Sequence, residues 1–148
     1  MIRNGILIFH IITSILACLV TLVIVFRAIV GLTKKADVTG LDVRLPLWVT
    51  VLLYIQLALG TALFVFYMVD YTHGEIDLLK RTELRSRFWA VEHFILMVFT
   101  LVVSHIGWIF ARQSKQSVII YKKNLLYFGV ACAMIMVSMA MNVIRHAV

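Results

Sequence analysis

Charge is scarce in this chain. Of its 148 residues, 14% are Asp, Glu, Lys or Arg and 63% are hydrophobic, with a mean hydropathy of +1.01. An ordinary soluble domain is roughly a quarter charged and half apolar. Proline occurs once, at Pro46, at the start of an apolar run, where a first-turn proline costs little. Cysteine occurs twice, and Cys18 and Cys132 both fall near the middle of apolar runs, where they read as small apolar fillers. No run alternates with period two, which disfavours a membrane β-barrel. Internal repeats, low-complexity tracts, a glycine-rich nucleotide loop, a nucleophile triad and a zinc cluster are all missing. The segment His73-Gly74-Glu75-Ile76-Asp77 reads as a solvated loop rather than a metal site.

What remains is apolar and unevenly spread. Four stretches are nearly free of charge, at 5–26, 45–69, 88–111 and 124–144. Each exceeds the roughly 20 residues a helix needs to cross about 30 Å of hydrocarbon. The first is too long for a signal peptide and carries no A-x-A cleavage site. The expected fold is therefore all-α, an integral membrane antiparallel four-helix bundle forming one transmembrane domain. Its spans lie at about 5–31, 45–69, 88–111 and 124–144. Thr72-His73-Gly74-Glu75 has the spacing of a capping box and predicts a short interfacial helix over about 73–86.

The net charge of +7 does not point to nucleic acid, because the positive residues flank apolar runs. Loops one and three carry Arg27, Lys34, Lys35, Arg44, Arg112, Lys115, Lys122 and Lys123, eight in all, against six on the opposite side. The positive-inside rule puts those loops in the cytoplasm and both termini outside.

Polar groups in hydrocarbon are costly and usually face the bundle interior. Here they are His10, Gln56, Glu92, His93 and His105. His10 and His93 each lie five residues into spans that run in the same direction. At about 1.5 Å per residue both sit roughly 7–8 Å inside the same, outer surface. His10, Ser14, Ala17, Thr21 and Ala28 form a stripe of small or weakly polar residues on span one. Ala90, His93, Met97, Thr100, Ser104, Gly107 and Ala111 form another on span three. Such stripes mark helix–helix contact faces. Two inward histidines at one depth can supply both axial ligands of one heme iron; hydrogen bonding between helices, and another metal or a proton-transfer role, are the other readings. His105 lies twelve residues after His93, about 120° around the helix and about 18 Å deeper. It is off the stripe and reads as a hydrogen-bonding group at a lateral interface. Gln56 reads as an interhelical hydrogen bonder. Glu92 points about 100° away from His93; snorkelling or pairing with Arg87 or Arg3 is the favoured reading, and a part in proton or quinone chemistry is the other. Most tyrosines and tryptophans lie near span ends, as an interfacial belt requires.

The string Arg87-Phe88-Trp89-Ala90-Val91-Glu92-His93, the run ending in His105-Ile106-Gly107, and His10 followed by Phe26-Arg27 together resemble a family of small bacterial four-span membrane proteins labelled cytochrome B. The resemblance covers roughly residues 10–112. It implies a b-type heme protein of the bacterial inner (plasma) membrane, with heme b ligated by His10 and His93. The chain departs from respiratory-complex cytochromes b in lacking two stacked histidine pairs, so quinol oxidation and proton pumping are not implied. A weaker likeness is to four-span membrane oxidases that act on protoporphyrinogen, which also place a histidine early in span one and bind heme. No lysine here matches their site.

The expected function is electron transfer through one heme near the outer face, with its propionates directed at Arg3, Arg87, Arg85 or Arg145. The alternatives are a non-catalytic structural subunit of a respiratory membrane assembly and a heme-containing protoporphyrinogen oxidase-like enzyme. The lipid bilayer is the expected partner. A quinone, a redox partner protein, a second copy and a larger respiratory complex all stay open.

Overall fold

A computed structural model describes residues 2–72 and 91–147, with the side chains of 71–72 and 141–147 outside the description. Four helices make up the described chain: α1 (Ile2–Lys34), α2 (Gly40–Thr72), α3 (His93–Arg112) and α4 (Ser117–Ala147). A single π turn at 91–92 leads into α3. The helices pack as a ring in which α1 neighbours α2 and α4, and α3 neighbours the same two. Thus α1 and α3 face each other across a diagonal of the four-helix bundle. All four are long and apolar enough to cross a membrane, and the protein is a multi-pass membrane protein.

The distribution of side chains fits that solvent. Ile8, Phe9, Ile12, Ile15, Leu19 and Phe26 are exposed along the outside of α1, and Val102, Phe110, Leu126 and Met136 on other helices. The interior holds Thr21, Thr50, Thr100, Ser104, Asn124 and Ser138, all buried. With lipid as apolar as leucine, little is gained by burying leucine, and small or polar residues that let backbones approach take the interior. Buried Ala17, Thr21, Ala28, Thr100, Ser104, Gly107 and Ala111 reproduce most of the two stripes read from the sequence. Gly31 extends the first stripe by one turn: a Cβ there would run into the Tyr121 ring. One apolar cluster, Ile24, Val49, Leu53, Leu101 and Phe128, packs between the helices toward the end of the bundle that holds Arg27 and Asp42.

The ends of the helices follow local chemistry. Lys35 closes α1 in the left-handed region (φ 50°), and the Ala36 N–H reaches the Gly31 carbonyl at 3.0 Å, the 6→1 bond of a Schellman motif. Thr39 and Asp42 form a capping pair at the start of α2. The Asp42 carboxylate accepts the Thr39 N–H at 2.8 Å and its hydroxyl at 2.7 Å. Arg27 grips both oxygens of the same carboxylate, Nε to Oδ1 at 2.8 Å and Nη2 to Oδ2 at 3.0 Å. At the far end of the bundle Arg3 pairs with Asp70 at 2.9 Å. Lys123 donates to the Phe110 carbonyl at 2.9 Å, where a cation suits the C-terminal dipole of α3.

Two expectations need correction or placement. Pro46 was expected in the first turn of its helix, but α2 begins at Gly40, so Pro46 lies in its second turn and is fully buried. Its ring nitrogen cannot donate to the carbonyl of Asp42, four residues back. Asn124 of α4 meets that need from outside, its Nδ2 donating to the Asp42 carbonyl at 2.9 Å. The helix start moved because the Thr39–Asp42 cap, reinforced by Arg27, stabilises a turn and a half that the charge-free run did not include. Residues 73–75 of the capping box, the interfacial helix over 73–86 and the first three residues of the expected third span lie outside the described residues.

Candidate functional site

Beyond the apolar cluster, toward the end of the bundle that holds Arg3 and Asp70, lie His10, Gln56, His93 and Ser138. His10 sits on α1 and His93 at the first turn of α3, on helices diagonal to each other. Their rings nevertheless meet in the bundle centre, with centroids 6.2 Å apart and planes at 81°. Equal depth and inward stripes, both legible in the sequence, bring them together as expected.

Each histidine is held differently. The His93 Nδ1 lies 2.7 Å from the hydroxyl of Ser138 on α4, a residue only 3% exposed. The ring of His10 has no such support: its Nδ1 is buried and has no hydrogen-bond partner among the described residues. What is fixed around His10 is its backbone. The His10 carbonyl accepts from Ser14 Oγ at 2.7 Å and from Gln56 Nε2 of α2 at 3.0 Å. Gln56 also bonds the Thr13 hydroxyl, and its Oε1 accepts from Ser14 at 3.0 Å. Gln56 is thus an interhelical bonder, as its position suggested. Gly60, one turn further along α2, faces His10 Cε1; a Cβ there would stand 3.7 Å away.

Arg3 and Arg87 were the expected anionic-group binders. Arg3 borders an open cleft of about 560 Å³ lined with Ile2, Asn4 and Phe66, at the same end of the bundle. One of its nitrogens is engaged by Asp70. Arg87, Arg85 and the side chain of Arg145 lie outside the described residues. Glu92 stands in the π turn beside His93 and is half-buried.

His105 is remote from the pair. Its Nδ1 lies 3.2 Å from the hydroxyl of Tyr54 on α2, and its ring packs edgewise against Tyr54 and Trp108. Tyr54 is 48% exposed on the outside of the bundle. This lateral pairing of two helices is the role its off-stripe position indicated.

Sequence reasoning missed Ser138 and the Arg27–Thr39–Asp42 cluster. Ser138 is the only Ser or Thr after Ser117, a signal that was available. Which helix it faces was not, because nothing in one helix's sequence states its neighbour. Among the described residues no group of three or more His, Cys, Asp or Glu gathers in one place. A zinc-type site, which takes three or four protein ligands, lacks its donors there. A heme iron takes only one or two from the protein. Comparison with known proteins adds no identification: no family model, no curated protein and no solved structure matches this chain.

Proposed function

We propose that this chain is a b-type heme membrane protein that transfers electrons, with His10 and His93 as the two axial ligands. One observation carries the reading, the 6.2 Å separation of the two rings. An imidazole nitrogen binds a metal at about 2.0–2.1 Å and lies about 1.1 Å from its ring centroid, so two imidazoles on opposite sides of one metal have centroids about 6.3 Å apart. The donor set also fits, being two neutral nitrogens without a third protein ligand. The buried, unbonded Nδ1 of His10 fits a group accommodated at this point.

When bound, heme b supplies a one-electron ferric–ferrous couple. The residues of the chain do the rest. His10 and His93 would hold the iron, the apolar cluster below them would keep water from the inner half, and Arg3 would offer a cation to the propionates at the outer end. Arg87 is proposed for the same task. The bilayer is the inner membrane, with both termini outside. The inner end would then carry Lys34, Lys35, Arg44, Arg112, Lys115, Lys122 and Lys123, in keeping with positive-inside bias. A quinone or a redox protein would exchange electrons with the site.

The test is a reduced-minus-oxidised spectrum of the purified protein. A sharp low-spin b-type spectrum at one heme per chain is expected, and His10→Ala or His93→Ala should each remove heme or leave high-spin iron. Wild-type protein made with ample heme that shows no Soret band sinks the reading. In that case the structural-subunit reading leads, since the Ser138 and Gln56 bonds would also serve to hold helices together.

A further inference from the structure

Most of the small hydroxyls inside the bundle bond a carbonyl of their own helix. Thr13, Ser14, Thr21, Thr50 and Thr100 each donate to a carbonyl one turn back on their own helix. Ser138 instead meets the imidazole of another helix, at 2.7 Å from His93 Nδ1, in a position where its residue is 3% exposed. A serine in an apolar run with no local backbone bond is expensive to bury unless that contact is made.

We propose that Ser138 is the positioning residue for His93: its hydroxyl holds the ring by Nδ1, so that Nε2 is the nitrogen that would ligate the iron. The inference rests on the heme reading of the site and adds what governs it. A hydroxyl both donates and accepts. It donates to Nδ1 while the ring proton is on Nε2, and it accepts from Nδ1–H once Nε2 is engaged by a metal. The ring carries one proton in each state, so the same contact serves both. A backbone carbonyl would serve only the second. Such outer partners fix a ligand's tautomer and orientation and raise its basicity. The His10 ring has no counterpart among the described residues, its Nδ1 being buried without a partner. The two ligands are therefore unequal, His93 anchored from behind and His10 placed by its backbone.

The test compares wild type with Ser138→Ala and Ser138→Thr, first free of heme and then loaded. In heme-free protein with 15N-labelled histidine, Ser138→Ala should move both ring-nitrogen signals of His93, assigned by their loss in His93→Gln. Those of His105 should stay in place, and Ser138→Thr should keep the wild-type positions. In loaded protein, Ser138→Ala should weaken heme binding about 10- to 100-fold. A less basic His93 favours ferrous iron, so the midpoint potential should rise, by about 59 mV for each tenfold loss of ferric preference. A purely packing role would lower stability without moving the potential. His93 nitrogens that stay put in Ser138→Ala overturn the proposal whether or not heme binds. Nitrogens that move, in a wild type that takes up no heme, support the hold of Ser138 on His93 and overturn the heme reading instead. Nitrogens that move while affinity and potential stay at wild-type values overturn the tuning role and leave the heme reading intact.

Discussion

Replacing Asn124 with alanine should expose the weakness that Pro46 builds into α2. The Asp42 carbonyl can receive no N–H from residue 46, and in the structure it receives the Asn124 amide at 2.9 Å, with Asn124 2% exposed. Asn124→Ala leaves that carbonyl without the amide. A buried acceptor stripped of its partner costs about 1–3 kcal/mol, whereas an average interhelical bond in a membrane protein is worth only about 0.6 kcal/mol. The expected loss is about 1–2 kcal/mol, above the average because the proline removes the alternative donor. The decisive comparison is with Pro46→Ala. That change restores an N–H one turn from the Asp42 carbonyl but removes two buried ring carbons, at about 0.8 kcal/mol each. In the Pro46→Ala background the Asn124→Ala cost should therefore fall by about 1 kcal/mol, well beyond the 0.3–0.5 kcal/mol within which independent sites add. Unfolding in mixed micelles with a rising fraction of denaturing detergent, followed by far-UV ellipticity, measures all four corners of the cycle. Equal Asn124→Ala costs in the two backgrounds would refute the claim that the amide substitutes for the missing helix bond.

Other changes test other parts of the molecule. Gly107→Ala should destabilise the bundle by about 1–3 kcal/mol, the usual cost of overpacking, because a Cβ at Gly107 would run into the Cβ of Tyr127 on α4; the same micelle titration reads it. Under the proposed heme ligation, His105→Ala should leave heme content and spectrum at wild-type values while costing about 0.6 kcal/mol for the lost bond to Tyr54; a loss of half the heme would contradict its lateral placement. In a chain whose Cys18 and Cys132 are replaced by alanine, a cysteine at exposed Gln116 should react with an impermeant maleimide only from the cytoplasmic side. Labelling from outside would invert the proposed topology and carry the histidine pair to the inner face.

The sequence alone determined the number of spans and the stripes along which α1 and α3 pack. Both are consequences of the solvent: hydrocarbon fixes the length of an apolar run, and the lack of a hydrophobic drive inside lipid puts Ala17, Thr21, Thr100 and Ser104 between helices. It also determined that His10 and His93 share a depth, because rise per residue is constant. Helix α2 begins five residues before its apolar run because a capping carboxylate can extend a helix beyond hydrocarbon, and charge-free length does not register caps. Only the tertiary structure decided that α1 and α3 lie on a diagonal, that Ser138 stands behind His93 and not His10, and that Asn124 reaches across to the carbonyl Pro46 leaves open. Those facts depend on the rotation of each helix about its axis and on which helix is its neighbour. Periodicity within one helix names a face but never the residue on another helix that will meet it.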